Sequence, residues 1–167
     1  MYYADASRVC LEPCVPYGWQ FPDEDVFMPS AKGKGLNCFG LLSRNNKLMF
    51  STTTQNINST FVFEYLDRLS FMLEKPTVIV LDNASVHTAK IIQKQRKVWE
   101  ERGLILFYLP PYSPQLNLIE ILWKMLKYYW LKPEDYAEEQ LLFYKTTQAL
   151  AAVGNTLNIN FSDLALV

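Results

Sequence analysis

The sequence lacks the long apolar runs and leader segments that mark membrane and secreted proteins. No apolar run among its 167 residues approaches the roughly 18 residues that suggest a membrane-spanning helix. The N-terminus, MYYADASR, has neither the basic nor the apolar region of a signal peptide. A cytoplasmic location is therefore expected, without membrane contact.

Cysteine and histidine are scarce. The three cysteines, Cys10, Cys14 and Cys38, lack a paired zinc-type spacing, and His87 is the only histidine. Free thiols are therefore expected rather than a disulfide or a zinc site. The chain also lacks the G-x-x-x-x-G-K-[ST] pattern, which argues against a P-loop nucleotide site.

Positively and negatively charged residues are nearly balanced, with 16 Lys and Arg against 17 Asp and Glu. The net charge is −1 and the pI is near 5.9, so the overall basic footprint of many nucleic-acid binders is missing. Basic residues are locally dense between positions 90 and 102. A solvated face is nevertheless the expected role of Lys90, Lys94 and Lys97, which share one side of a predicted helix.

What is abundant is apolar sequence, which makes up 50% of the chain and suits one domain, residues 1–167, with a substantial core. Residue patterns predict five strands and four helices. The strands are YYADAS, LNCFGLLS, KLMFSTTT, TVIVLD and LILFYL, with a turn-rich, proline-containing stretch after the first and a tight turn at Arg44–Lys47 joining the second and third.

The predicted helices have identifiable ends. Asn58 or Ser59 can cap the first helix, and Thr88 can cap the second, which ends at Gly103. The third is LNLIEILWKMLKYYWL, and the fourth spans about 137–152. Strands followed by alternating strands and helices predict an α/β fold, a mixed sheet flanked by helices, in which TVIVLD and LILFYL are parallel.

Two aspartates are predicted to end buried strands. Asp82 follows the apolar run Val78–Leu81, and Asp5 ends its own strand in the same way. Ligand sites in such sheets gather at the carboxyl ends of strands. The alternative is that each acid only hydrogen-bonds the following turn.

A third acid, Glu120, lies on a narrow polar stripe of a nearly apolar helix. At about 100° per residue, Lys124, Lys127 and Asn117 fall within about 60° of Glu120. The opposite arc is apolar: Ile119, Leu122, Trp123, Met125, Leu126 and Trp130. The stripe must face water, a partner or a site, although Asn117 and Glu120 also fit a capping box without any catalytic role.

Three acids on separate elements match the needs of a two-metal phosphoryl-transfer site. Carboxylates bind Mg²⁺ through hard oxygen ligands. Two ions about 3.5 to 4 Å apart can serve both the attacking and the leaving oxygen of an in-line displacement.

The blocks LDNASVHTAK and LPPYSPQLNLIEILWKMLK closely resemble those of bacterial insertion-sequence transposases related to the Tc/mariner superfamily, and YYADAS resembles the first block. The resemblance implies a ribonuclease H-like fold and an Asp-Asp-Glu triad at Asp5, Asp82 and Glu120, which binds Mg²⁺ or Mn²⁺, with two ions expected. It also implies cleavage of DNA and transfer of its 3′ end.

Five neighbouring residues are candidate DNA contacts. They are Asn83, His87, Asn117, Lys124 and Lys127. For Asn83 and His87 the alternatives are a turn-satisfying side chain and a helix-entry hydrogen bond. For the two lysines the alternative is a solvated stripe.

The chain departs from the family at Ala6, where an acid is frequent, and at Leu118, where proline is frequent. The helix-turn-helix DNA-binding region usual in these transposases is not expected in these residues, so an upstream-encoded subunit or fusion could supply it. A homodimer or larger assembly on DNA is expected. Two alternatives stay open: a degenerate, non-catalytic module that binds DNA or a partner subunit, and a structure-specific nuclease of the same fold.

Overall fold

The computed structural model describes residues 1–12, 35–111 and 113–161. These ranges contain β1 (Tyr2–Val9), β2 (Leu36–Leu42), β3 (Leu48–Thr53), α1 (Ser59–Phe71), β4 (Thr77–Leu81), α2 (Lys90–Glu101), β5 (Leu104–Tyr108), α3 (Ile119–Met125) and α4 (Glu139–Ala152). The predicted turn-rich stretch, with Cys14, lies outside the described residues. Cys10 and Cys38 are free thiols, as expected.

The five strands form one mixed sheet in the order β3-β2-β1-β4-β5. Strand β2 is antiparallel to both β1 and β3, whereas β4 is parallel to β1 and to β5. Both the mixed five-stranded sheet and the parallel pairing of β4 with β5 were predicted, and both are confirmed.

Helices cover both faces of the sheet. Buried residues of α1 and α2, such as Leu66 and Trp99, pack with Ile79 of β4 on one face. On the other face Leu122 of α3 and Leu142 of α4 pack in a separate cluster with strand residues that include Tyr3 and Val80. Because successive strand residues point to opposite faces, β1, β2 and β4 contribute buried residues to both cores, whereas Ile105 and Phe107 of β5 are exposed. None of the described helices is long and apolar enough to cross a membrane.

Local signals account for most element ends. Asn58 caps α1 by accepting a hydrogen bond from the Phe61 N–H, and Gly103, at φ 87°, follows the end of α2. The predicted cap at Thr88 is wrong, because its hydroxyl donates to the Ala84 carbonyl and α2 has no side-chain cap. The turn between β2 and β3 is closed by a hydrogen bond from the Asn46 N–H to the Ser43 carbonyl, and Asn46 has a φ of 57°.

The third predicted helix is shorter than its apolar pattern suggests. After α3 the chain forms a π-helical turn, Leu126–Trp130, in which the Leu131 N–H donates to the Leu126 carbonyl. The side chains of Leu126 and Leu131 are both buried. The predicted helix is therefore continuous from Ile119 to Trp130, but its last turn is π-helical rather than α-helical.

Candidate metal centre formed by three carboxylates

The pairing of β1 with β4 brings Asp5 next to Asp82. Tyr3 pairs with Val80 in a parallel register, and two further residues along each strand are Asp5 and Asp82. Asp82 directly follows β4, as predicted. Asp5 does not end its strand: β1 continues to Val9, because β2 still pairs with it beyond the point where β4 stops. The prediction that Asp5 closes its strand is wrong, although the two acids lie at the same level of the sheet.

All three acids face the same side of the sheet. Tyr3 and Val80 belong to the core beneath α3, and residues two apart on a strand share a face. Asp5 and Asp82 therefore point toward α3, whose first turn carries Glu120. The charges of Glu120 and Asp82 both act on Asp5, and the charge of Asp82 acts on Glu120. The fold thus brings together the three predicted acids.

The pKa of Asp5 is strongly raised. Burial is the main cause, opposed by the Ala6 backbone N–H, and the charges of Glu120 and Asp82 add to the increase, so that the pKa of Asp5 reaches about 7. Burial also raises the pKa of Glu120, together with the charge of Asp82, whereas Lys127 lowers it. The negative charge at Asp5 is therefore poorly compensated by the protein itself.

Asp82 has the opposite behaviour because His87 is its partner. The His87 Nδ1 lies 2.6 Å from Oδ1 of Asp82, and the same oxygen accepts the Ala84 N–H at 3.0 Å. The hydrogen bond with His87 lowers the pKa of Asp82. His87 itself is 1% exposed and its carbonyl accepts a hydrogen bond from the Tyr108 hydroxyl. The buried ring lies against Asp82 rather than on an exposed surface, which favours the alternative of a hydrogen bond within the protein over a DNA contact.

Asn117 is also buried, at 2% exposure, and its amide donates to the Ala4 carbonyl at 3.3 Å. The predicted capping box with Glu120 is wrong, since α3 begins after Leu118 without a side-chain cap. The burial of Asn117 disfavours a direct DNA contact. Asn83 is exposed, and its amide donates to the Leu109 carbonyl, which ties the end of β4 to the residue after β5.

A pocket of about 350 Å³ opens between Asp82 and Glu120. Its walls come from the segments after β4 and β5 and from the turn before α3. They are Asp82, Asn83, Ala84, Leu109, Pro110, Pro111, Ser113, Pro114, Asn117 and Glu120. Three prolines restrict the backbone dihedral angles of this wall.

The two lysines of the predicted stripe differ. Lys124 is exposed, whereas Lys127 is half-buried and its charge lowers the pKa of Glu120. Lys127 also acts on the buried thiol of Cys38, whose pKa burial nevertheless raises to about 12. Lys127 therefore lies in the electrostatic environment of the acids, and Lys124 extends into solvent.

Sequence patterns missed one side chain at the site. Trp123, predicted only as part of the apolar face of its helix, donates its indole N–H to Oδ2 of Asp5 at 3.1 Å. Gly40, which pairs with Asp5 across β1 and β2, leaves room for this ring. Helical periodicity identifies the buried face but not the polar atom on it, so no sequence signal marked this contact.

The chemistry of the acids fits a divalent cation. Three carboxylates supply the hard oxygen ligands that Mg²⁺ and Mn²⁺ prefer, and the uncompensated charge at Asp5 would be stabilised by a cation. Within residues 1–12, 35–111 and 113–161, no three His, Cys, Asp or Glu side chains converge closely enough to enclose an ion. The carboxylates interact electrostatically without forming a closed cage.

Solved structures similar to this one are transposases and integrases. The Mos1 strand transfer complex matches with a TM-score of 0.54 at 14% identity, over 93% of this chain and 51% of that chain. The Mos1 mariner paired-end complex with Mn matches with a TM-score of 0.55 at 15% identity, over 94% and 56%. The BIV integrase catalytic core matches with a TM-score of 0.52 at 16% identity, over 75% and 79%.

These likenesses show that the fold is ribonuclease H-like, as predicted. The chain spans about half the length of the Mos1 chains. No curated protein matches the chain by sequence. A family described as DDE superfamily endonuclease matches residues 1–142. That match covers most of the 167 residues, and the protein therefore belongs to the DDE superfamily of endonucleases, which are divalent-metal-dependent enzymes.

Proposed function

We propose that residues 1–167 form the catalytic domain of a DNA transposase, which cleaves DNA strands and joins a freed 3′ end to target DNA. The observation that carries the proposal is the placement of three acids from distant parts of the chain on one face of the sheet, beside an open pocket. Transposases and integrases of the same fold support it.

Asp5, Asp82 and Glu120 would hold the metal, Mg²⁺ or Mn²⁺, with two ions as the proposed number. When bound, the ions supply Lewis-acid stabilisation and activate an attacking oxygen during in-line displacement at phosphorus. The protein supplies orientation: His87 fixes Asp82 by a hydrogen bond, and the proline-rich wall of the pocket fixes the approach to Glu120.

DNA is the proposed partner. The pocket between Asp82 and Glu120 would admit the strand to be cut, with Asn83 at its wall. Two lysines would contact phosphates. Lys127 acts on Glu120 electrostatically, and Lys124 is exposed one helical turn away from Lys127. His87 and Asn117 are left out of this set because both side chains are buried.

Assembly and recognition are proposed from the family resemblance. Transposition brings two DNA ends together, which calls for a homodimer or larger assembly on DNA, in the cytoplasm. One structural neighbour is a paired-end complex of Mos1 transposase with the left transposon end. Recognition of the end sequence is assigned to a helix-turn-helix region, supplied as a fusion or as a separate subunit.

A joining assay tests the proposal. The protein, a labelled duplex with a free 3′ hydroxyl at the element end and a supercoiled plasmid are incubated with Mn²⁺ or Mg²⁺. Label joined to the plasmid, with no joining by Asp82→Asn, is the expected result. Nicked plasmid without joined label would instead indicate the structure-specific nuclease. DNA binding without either product would indicate the non-catalytic module.

A further inference from the structure

Two buried polar side chains connect the segment around Glu120 to strand β1. Asn117, three residues before Glu120, donates to the carbonyl of Ala4 at 3.3 Å. Trp123, three residues after Glu120, donates to the Asp5 carboxylate at 3.1 Å. The two contacts thus fall on consecutive residues of β1, and the second falls on the acid that faces Glu120.

Neither contact is an ordinary helix-end interaction. Asn117 stands just before α3, where an asparagine commonly caps the helix, and Asn58 does so for α1. The Asn117 amide instead reaches a residue 113 positions away, while its own side-chain oxygen is buried without a hydrogen-bond partner. Leaving that oxygen unpaired costs free energy, so the bond to Ala4 is made at the expense of local capping.

The Trp123 contact is equally specific. An indole N–H can only donate, and the ring is 3% exposed, so the donor has a fixed direction. The strand residue opposite Asp5 is Gly40, where an added Cβ would lie 3.1 Å from both the Trp123 ring and Ile119. The absence of a side chain at Gly40 therefore allows α3 to approach β1 closely enough for the hydrogen bond.

We infer that Asn117 and Trp123 are positioning residues, which hold Glu120 at a fixed separation from Asp5 and so set the spacing of two proposed metal-binding carboxylates. This inference rests on the proposed function, because the spacing matters only if the acids bind metal together. The Trp123 hydrogen bond also limits rotation of the Asp5 carboxylate, in the way that hydrogen-bond partners of metal ligands orient them.

The chain contains a matched control for Trp123. Trp99 is fully buried, and its indole N–H donates to the Asp67 carboxylate at 2.9 Å on the opposite face of the sheet. Asp67 is also paired with Arg102. Trp99→Phe therefore removes the same kind of hydrogen bond from the same kind of buried ring, away from the three acids.

The experiment has a readout without catalysis. Indole N–H resonances of Trp123 and Trp99 are assigned from the spectra of Trp123→Phe and Trp99→Phe, and the wild-type protein is then titrated with Mg²⁺. We expect the Trp123 resonance to shift with Mg²⁺ and the Trp99 resonance to stay in place. A Trp123 resonance that is unchanged while Mg²⁺ binds would overturn the inference.

Mn²⁺ affinity, measured by calorimetry, gives the second readout. Trp123→Phe is expected to weaken Mn²⁺ binding by about tenfold or more, which is typical when a metal ligand loses its hydrogen-bond partner. Trp99→Phe is expected to leave Mn²⁺ affinity unchanged. Asn117→Leu, which removes the donor but keeps a buried side chain, should act in the same direction as Trp123→Phe. Equal affinities in wild type, Trp123→Phe and Asn117→Leu would contradict the inference alone.

The inference and the proposed function fail differently. A wild-type protein that binds neither Mg²⁺ nor Mn²⁺ would remove the proposed function and the inference with it. A wild-type protein that binds metal and joins DNA, combined with unaltered metal binding in both variants, would leave the proposed function intact. Thermal melting without metal shows that each variant is folded before its affinity is compared.

Discussion

Asp5 and Asp82 lie side by side but ionise differently, because their surroundings differ. Asp5 is buried near two other acids, which raises its pKa to about 7. Asp82 accepts hydrogen bonds from His87 and the Ala84 N–H, and its pKa is lowered. The two acids therefore have opposite effects on the pH dependence of folding.

Replacing Asp5 with asparagine should stabilise the metal-free protein at high pH. Between pH about 4 and 7 the folded state keeps a proton on Asp5 that the unfolded chain releases, so wild-type stability falls as pH rises. Asp5→Asn removes this loss and can still accept the Trp123 hydrogen bond. We expect a higher melting temperature than wild type at pH 8 and no difference below pH 4, measured by thermal denaturation with chelator.

Asp82→Asn is the matched variant, and its effect on the melting temperature should have the opposite sign. The ionised Asp82 stabilises the fold above its unfolded pKa, and this contribution is lost as pH falls through the lowered folded pKa. The variant should therefore melt below wild type at neutral pH, and the gap should close in acid. Parallel pH profiles for the two variants would contradict the assignment of their environments.

At the scale of elements, the strand patterns and turn residues predicted the five-stranded sheet and the position of Asp82 directly after β4. The π-helical turn was not predictable, because the apolar pattern that marks a helix does not show where its hydrogen bonding changes from α to π. The extension of β1 from Ser7 to Val9 depends on pairing with β2, which no local signal reveals. Likewise the burial of His87 and Asn117 results from tertiary contacts rather than from residue type.

Gly40→Ala tests the close approach of α3 to the sheet. The added methyl group would lie 3.1 Å from the side chains of Ile119 and Trp123, which must move by a few tenths of an ångström. Overpacking of this kind typically costs about 1 to 3 kcal/mol, and denaturant unfolding should show a loss in that range. The control is Gly103→Ala, at φ 87° after α2, which should also lose stability.

The two glycine variants should differ in their response to metal. Gly40→Ala displaces the ring that donates to Asp5, so Mn²⁺ should stabilise it less than wild type. Gly103→Ala strains a turn on the far side of α2 and should keep the full response. Equal responses to Mn²⁺ would show that the approach of α3 does not control the site.

At the scale of the whole molecule, the near-neutral chain must bind DNA through local charge. The net charge is −1, and Lys127 acts on Glu120 within the face that carries the acids. Each phosphate contact on duplex DNA adds about 0.9 to the slope of log affinity against log salt. The contribution of individual lysines is therefore measurable even when overall affinity is weak.

Replacing Lys124 and Lys127 together with glutamine should flatten that slope by nearly 2 and slow strand cleavage. The control replaces Lys90 and Lys94, which are exposed on α2 on the other face of the sheet. Fluorescence binding at several salt concentrations gives both slopes. If the Lys124 and Lys127 variant keeps the wild-type slope, these two lysines form only a solvated face. If both double variants reduce the slope equally, the lysines act by nonspecific attraction.

The central claim is that Asp5, Asp82 and Glu120 together hold divalent metal, and Mn²⁺-dependent thermal melting tests it most directly. Wild type should gain about 2.7 kcal/mol of stability at a metal concentration 100 times the dissociation constant. Asp5→Asn, Asp82→Asn and Glu120→Gln should each lose most of that gain, whereas Glu100→Gln, an exposed acid on α2, should retain it. A wild-type gain that all three neutral variants keep would contradict the claim.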